Sequence, residues 1–360
     1  MKIKERNEQL MVNDPVMDKM KEAMTANEHV KFGPCDYNHS VYGPILRKPG
    51  DHFATLPIDG ASCAFVQNMP EGKDRLNEFG TVWWYSGSPM DYHDHQWGYE
   101  TFMVTSGQVD TYFNHKRCMM DEGDLFFIKP QVAHAFINLE TVEGKGITWM
   151  ELYDDIRMYY GIEVEVKLER NYPHLHEDKA YQTRLMHTLG DLYRKELPKV
   201  DFVDKSEVPW VRPKEFSLRT FENAAGKFML KIGRWEFDGK KEIWEMRPAK
   251  GLRLDFGSPF ADYPLYHVLE GKMVVECEGE TYVGEKESFL HIPPWRQFRI
   301  SFPEEGARIL VANEQSYLLQ IFETLESMKR DDPAGLADWD GKVKPVLRTY
   351  NNWLTGVSGI

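Results

Sequence analysis

The chain has 360 residues, 42% of them hydrophobic and 13% aromatic, enough apolar material to fill two cores rather than one. Its 57 acidic and 44 basic residues give a net charge of −13, which excludes a general nucleic-acid or anionic-membrane surface. No stretch approaches the roughly twenty apolar residues that cross a bilayer, and MKIKERNEQL has no apolar run of signal-peptide type. The expected compartment is therefore the cytoplasm.

Cys35, Cys63, Cys118 and Cys277 are scattered without a CxxC pair, so neither a disulfide scaffold nor a zinc ribbon is expected. In chain order, the first expected element is a helix over NDPVMDKMKEAM. Asp14 stands at its cap, Pro15 in its first turn, and Val16, Met20 and Met24 recur at helical spacing. It reads as a packing arm. From Phe32 to about Asn68, short apolar runs between Gly and Pro predict edge strands leading into a barrel.

From Glu78 the pattern turns into short strands separated by turns: TVWWYS, YHDH, YETFMVTSG, QVDTYFN, DLFFI, AHAFINLE and GITWMELYD. Such a series predicts a sandwich or barrel. His115, in FNHKRC, falls in the expected hairpin turn and reads as a solvated turn residue. The chemistry-bearing stretch runs from Gly87 to Asn138. His93 and His95 are separated by one residue, so on a strand they share a face, while Asp94 points away. Glu100 follows after a short turn containing Gly98, and His134 arrives from a separate strand. Three neutral imidazole nitrogens and one carboxylate oxygen suit a borderline divalent transition metal.

These residues carry a family resemblance. Gly87, His93, His95, Glu100 and Gly107 match the intervals of the first cupin motif, and Gly123, His134 and Asn138 those of the second. Pro130 sits one place late, and Gln131 stands where that family usually has Gly. The resemblance implies a jelly-roll barrel, a double-stranded β-helix, with a metal inside. Strand parity then supplies a lining: Phe102 and Val104 go with Glu100, and Phe136 and Asn138 with His134. Trp84, Trp149 and Glu151 are further candidates for the pocket.

Beyond this barrel, PHLHEDKAYQTRLMHTLGDLYRKELP aligns Tyr181, Leu185, Leu189, Leu192 and Tyr193 on one helical face and stops at Pro198. His174, His176 and His187 decorate it without a ligand arrangement. SEVPWVRPKEF follows as an extended crossing segment. The second half repeats the first in strand rhythm if Gly271 is set against Gly107. On that register Glu287 and Ser288 stand at Gly123 and Asp124, and Phe298 at His134. Gly257, Pro259 and Pro264 take the places of His93, His95 and Glu100. None can bind a metal as those ligands do. His267 and His291 miss the ligand positions. A helix striped by Leu318, Ile321, Phe322, Leu325 and Met328 closes the repeat, and a tail with Trp339 and Trp353 is expected to dock.

The expected fold is thus mostly β, with two cupin barrels and peripheral helices. Its expected segments are 1–60 (helix and edge strands), 61–171 (metal-binding barrel), 172–212 (linker helix and crossing segment), 213–312 (degenerate second barrel) and 313–360 (helix and tail). The metal ligands are His93, His95, Glu100 and His134, with Fe(II) favoured and Mn, Ni, Zn or Co as alternatives. The resemblance implies an oxidoreductase of dioxygenase type acting on a small oxygenated compound, aromatic ones included. The alternatives are a non-redox isomerase, lyase or decarboxylase, or a cupin that binds a small molecule without catalysis. The expected assembly is a homodimer, with neither nucleic acid nor membrane as partner.

Overall fold

The computed structural model describes residues 45–49, 54–58, 61–67, 76–84, 88–89, 92–95, 99–138, 144–152, 191–194, 198–237, 239, 241–257, 264–292, 296–313, 318–349 and 354–358. For 54–89, 93, 137–152 and 191–194 it gives the backbone alone. The expected helix at Asp14, most of the expected linker helix and Trp353 lie outside the described residues. The chain divides into two compact units, residues 1–35 with 52–214 and residues 36–51 with 215–360.

In the first unit the central element is one long strand. We label the strands around it β1 (Tyr92–His95), β2 (Tyr99–Phe113), β3 (Lys116–Asp121), β4 (Leu125–Ile128), β5 (His134–Asn138), β6 (Gly144–Leu152) and β7 (Asp191–Arg194). The first part of β2 pairs with β4 and β6, and its second part with β3 and β5. Its pairing with β6 skips Thr105, between Val104 and Ser106. The extra residue is a bulge, which bends a strand and flips the parity of the residues after it. Glu100, Phe102 and Val104 therefore share an interior with Val109 and Phe113, on the same strand but of opposite parity.

That interior is apolar. Phe102, Val104, Val109, Phe113, Cys118, Met120, Phe126, Ile128 and Phe136 are all buried in one cluster, joined by Val208 and Val211 of the crossing segment. Val211 and Arg212 pair with Phe126 and Leu125 of β4. In the second unit the same place beside Phe289 and Leu290 is taken by Leu46 and Arg47. Residues 36–51, expected among the edge strands of the first barrel, thus belong with the second unit. Each barrel receives a strand from the segment that leads, in sequence, into the other.

The expected helix running to Pro198 also needs correction. Asp191–Arg194 is a strand, β7, paired antiparallel with β1. Leu192 and Tyr193 fit a helical stripe with the residues before them, but the open edge of β1 offers the backbone a ladder, and that tertiary contact overrides the periodicity. The second unit does the same: its last strand, Leu354–Ser358, pairs with Arg253–Gly257.

The repeat is visible in the backbone itself, displaced by 164 residues as from Gly107 to Gly271. Those two glycines have φ of 73° and 71°, Asn114 and Glu278 have 51° and 53°, and Gly123 and Glu287 have 91° and 69°. The turn hydrogen bonds repeat as well. Val104 N–H donates to the Asp124 carbonyl and Val268 N–H to that of Ser288, both at 2.9 Å. Asp124 and Ser288 then use their side-chain oxygens alike, accepting from the backbone of Asp121 and Glu285.

The second interior is filled by Phe228, Leu230, Trp244, Met246, Val268, Met273, Val275, Leu290, Ile300, Ile309 and Val311. The helix Leu318–Asp331 adds Leu318 and Ile321 to this core, with Phe322, Leu325 and Met328 packed against it. Trp339 docks by donating its indole N–H to the Thr355 carbonyl at 2.8 Å. Among the described residues no helix is long and apolar enough to cross a membrane.

Gly271 shows why the repeat keeps a glycine there. Its φ is left-handed, and a Cβ would sit 2.9 Å from the Ala307 Cα. The left-handed backbone alone costs a residue with a Cβ about 1–2 kcal/mol. Gly271→Ala should therefore lower the urea midpoint of unfolding by at least that equivalent; an unchanged midpoint would contradict the turn geometry.

Candidate metal centre

The site is assembled by strands that neighbour in the sheet and not in sequence. β5 pairs with β1 on one side, setting His134 opposite His93, and with β2 on the other, setting His134 opposite Phe113. Opposed residues on antiparallel strands share a face. Glu100 comes from the start of β2, opposite Ile128 of β4.

His95, Glu100 and His134 converge, their ligand atoms all within 4.8 Å of one another. Glu100 Oε2 lies 2.9 Å from His95 Nε2 and 2.6 Å from His134 Nε2, and the two imidazole centroids are 5.1 Å apart. All three side chains are buried, at 3%, 3% and 0% exposure. His93, the fourth expected ligand, sits on the same strand as His95 with its Cα paired to that of His134; its backbone alone is described.

Burial opposes ionisation of Glu100, but the neighbouring His134 and His95 outweigh it and hold the carboxyl well below the usual carboxylate range. The orientation of His134 is set from behind. Its Nδ1 lies 2.8 Å from the Val132 carbonyl, and a carbonyl only accepts, so Nδ1 carries the proton. Nε2 is then the ring atom that faces Glu100. A proton or a cation between this nitrogen and the carboxylate oxygen draws the two together. A divalent ion satisfies both, so the donor set fits one.

The loop before His134 is tied to β1 as well. Gln131 N–H donates to the His95 carbonyl at 2.7 Å. Gln131 has φ of 67°, which explains the Gly expected by resemblance at that place. Glutamine occupies it here at a cost of about 1 kcal/mol.

Beside the donors stands an aromatic wall. Phe136 lies 5.6 Å from the His134 ring, Phe102 and Phe126 lie 4.8 Å from Phe136, and Phe113 stands edge-on to Phe126 at 5.4 Å. Phe102 and Phe136 were expected here from parity. Phe113 and Phe126 were not, because the bulge and the β2–β4 register that bring them in leave no mark on the pattern. Register corrects two of the expected pocket residues. Glu100 and Phe102 are opposite Met150 and Thr148, whereas Trp149 and Glu151 are opposite Thr101 and Tyr99, on the other parity. Trp84 keeps the parity of Glu78, which lies across Met150 from Glu100, and Asn138 keeps that of His134 on β5.

Residues 86–150 match the family model for the cupin domain. The first barrel is a cupin. The second unit repeats the turns of this barrel displaced by 164 residues, and the first carries the His and Glu cluster that could hold a metal ion. No curated protein matches the sequence. Solved structures resemble the chain at low identity. AerE from Microcystis aeruginosa is 13% identical over 76% of this chain and 99% of its own, with a TM-score of 0.46. Oxalate decarboxylase from Lactobacillus farciminis, in a formate complex, is 13% identical over 77% and 87%, at 0.49. Protein Ylba from E. coli is 11% identical over 82% and 96%, at 0.47. Likenesses of this degree carry no argument about chemistry.

Among the described residues of the second barrel, the places of His93 and His134 are apolar. Where His93 opposes His134, Phe256 opposes Phe298, and their rings stack at 5.1 Å. The sequence count set Gly257 at the His93 place; the pairing shifts it by one residue. Pro259 lies outside the described residues. His267 and His291 are buried on two other strands that pair with each other, His267 against the Phe289 ring at 4.3 Å.

The lowered pKa of Glu100 has a definite sign. A carboxyl depressed in the fold stabilises it above its unfolded value, about 4.3, and that contribution drains away as pH falls through the folded pKa. Without metal, Glu100→Gln should flatten the acid limb of a stability-versus-pH curve; an unchanged limb would remove the ion-pair assignment. With metal, affinity should fall as pH drops and protons compete for the ring nitrogens, readable by calorimetric titration at several pH values.

Proposed function

We propose that the first barrel is a metal-dependent oxidoreductase of dioxygenase type, using Fe(II) in preference to Mn, Ni, Zn or Co. Its substrate would be a small oxygenated compound, aromatic ones included. The carrying observation is the contrast inside one barrel: a buried His95, Glu100 and His134 cluster set directly against Phe102, Phe113, Phe126 and Phe136. Iron held by these residues with His93 would supply open coordination positions for a chelating substrate and for dioxygen.

The chain's own residues define the rest. Glu100 contributes the anionic donor that offsets the charge of the ion. Val132 fixes the tautomer of His134, so that Nε2 is the ligating nitrogen. The phenylalanines exclude water and present ring faces and edges to an aromatic substrate.

Two experiments test this reading. His93→Ala and His134→Ala should each lose bound metal in elemental analysis while keeping a folded far-UV spectrum; full metal content in both would remove the site. The Fe(II)-loaded protein should consume dioxygen with a substrate from a panel of phenolic and keto acids. Turnover that persists anaerobically would replace the oxygenase by a lyase or isomerase, and binding without conversion would leave a small-molecule binder.

A further inference from the structure

On the side of the sheet away from the donors, one tyrosine bridges both ligand strands. Tyr92 precedes His93, and alternation sends its ring to the face opposite the ligands. There it is buried with Ala133, Ala135 and Tyr112, residues of β5 and β2 and the approach to β5. The two alanines are small enough for a ring to lie across β5. The hydroxyl donates to the Asn114 carbonyl at 2.7 Å, in the turn after β2.

Asn114 in turn clasps the residue before His134. Its N–H donates to the Ala133 carbonyl at 2.6 Å, and Ala133 N–H donates to Asn114 Oδ1 at 3.1 Å. Its φ of 51° is one that Asn tolerates better than most residues. Tyr92, one residue before a ligand, is thus linked through Asn114 to Ala133, one residue before another.

The second barrel lacks both ligands and strap. At the places of Tyr92, Tyr112 and Ala135 stand Asp255, Glu276 and Arg299. Arg299 bridges the two carboxylates at 2.5 and 3.2 Å. At the place of Asn114, Glu278 pairs instead with Arg296 at 3.1 Å. The strap accompanies the donor set and not the barrel.

We infer that Tyr92 and Asn114 are positioning residues that fix the separation of the two histidine-bearing strands and so set metal affinity. This rests on the metal reading of the site. It is tested with the full chain and cobalt(II) as the probe, by metal-binding titration, the visible spectrum of the bound ion and thermal unfolding of the metal-free protein. Tyr92→Phe keeps the ring and loses the hydroxyl; Asn114→Gly keeps the turn and loses Oδ1; Asn114→Asp keeps both turn and acceptor. The first two should weaken cobalt binding about tenfold, the size of effect that supporting partners of metal ligands have, and alter its spectrum. The third should stay near wild type.

Wild-type affinity and spectrum in Tyr92→Phe and Asn114→Gly would overturn the strap while leaving the metal site standing. Weakened binding accompanied by unfolding of the metal-free variants assigns the pair to stability alone and also overturns it. A wild-type chain that binds no cobalt fails the metal reading, and the strap with it.

Discussion

A carboxylate with two imidazoles inside an apolar barrel is the constraint on which the other features depend. Glu100 is ionised although buried, because His95 and His134 approach its Oε2. Desolvating a charge costs several kcal/mol unless it is paired and hydrogen-bonded, and this arrangement is best satisfied by a cation shared among the three. The long bulged strand, the register of β1 against β5 and the buried phenylalanines all serve to bring three distant parts of the sequence to one small volume. The phenylalanines do double duty, since the dry surroundings that make the charge expensive also make any bound ion electrostatically strong.

The two repeats form an internal experiment on this constraint. Their backbones agree at three pairs of left-handed residues and in the hydrogen bonds of the turn around Gly123 and Glu287. Their interiors diverge: stacked Phe256 and Phe298 replace the opposed histidines, and burying hydrocarbon needs no ion. Among the described residues, Trp244 and its neighbours fill the second barrel with a larger apolar cluster than that of the first. Fold and chemistry are separable here, one preserved by the turns and the other carried by a handful of side chains.

Much of this was legible in the sequence because it is local. His93 and His95 at a spacing of two and His115 in a hairpin turn follow from strand alternation and turn chemistry, while Gly107 and Gly123 were placed by the family resemblance. What the sequence concealed is long-range. The bulge at Thr105, two residues before the left-handed Gly107, reverses parity within one continuous strand, so Phe113 joins the wall of Phe102 unforeseen. The parity of Trp149 and Glu151 depends on register with Thr101 and Tyr99, which no stretch of their own encodes. Asp191–Arg194 continues a helical stripe and yet forms a strand, because the edge of β1 is waiting for it. Tyr92 and Asn114 escaped notice for the same reason, being joined only through a strand that arrives later in the chain.

The placement of the two lead-in strands carries a consequence for biosynthesis. Leu46 and Arg47 leave the ribosome early, yet their partners Phe289 and Leu290 are made near the end; Val211 and Arg212 close the first barrel only after its own strands are complete. The first barrel can close as soon as Val211 and Arg212 emerge, whereas the second waits for an early-made strand to meet partners made much later. A ribosome that stops midway leaves the leading edge of the nascent chain without its docking site.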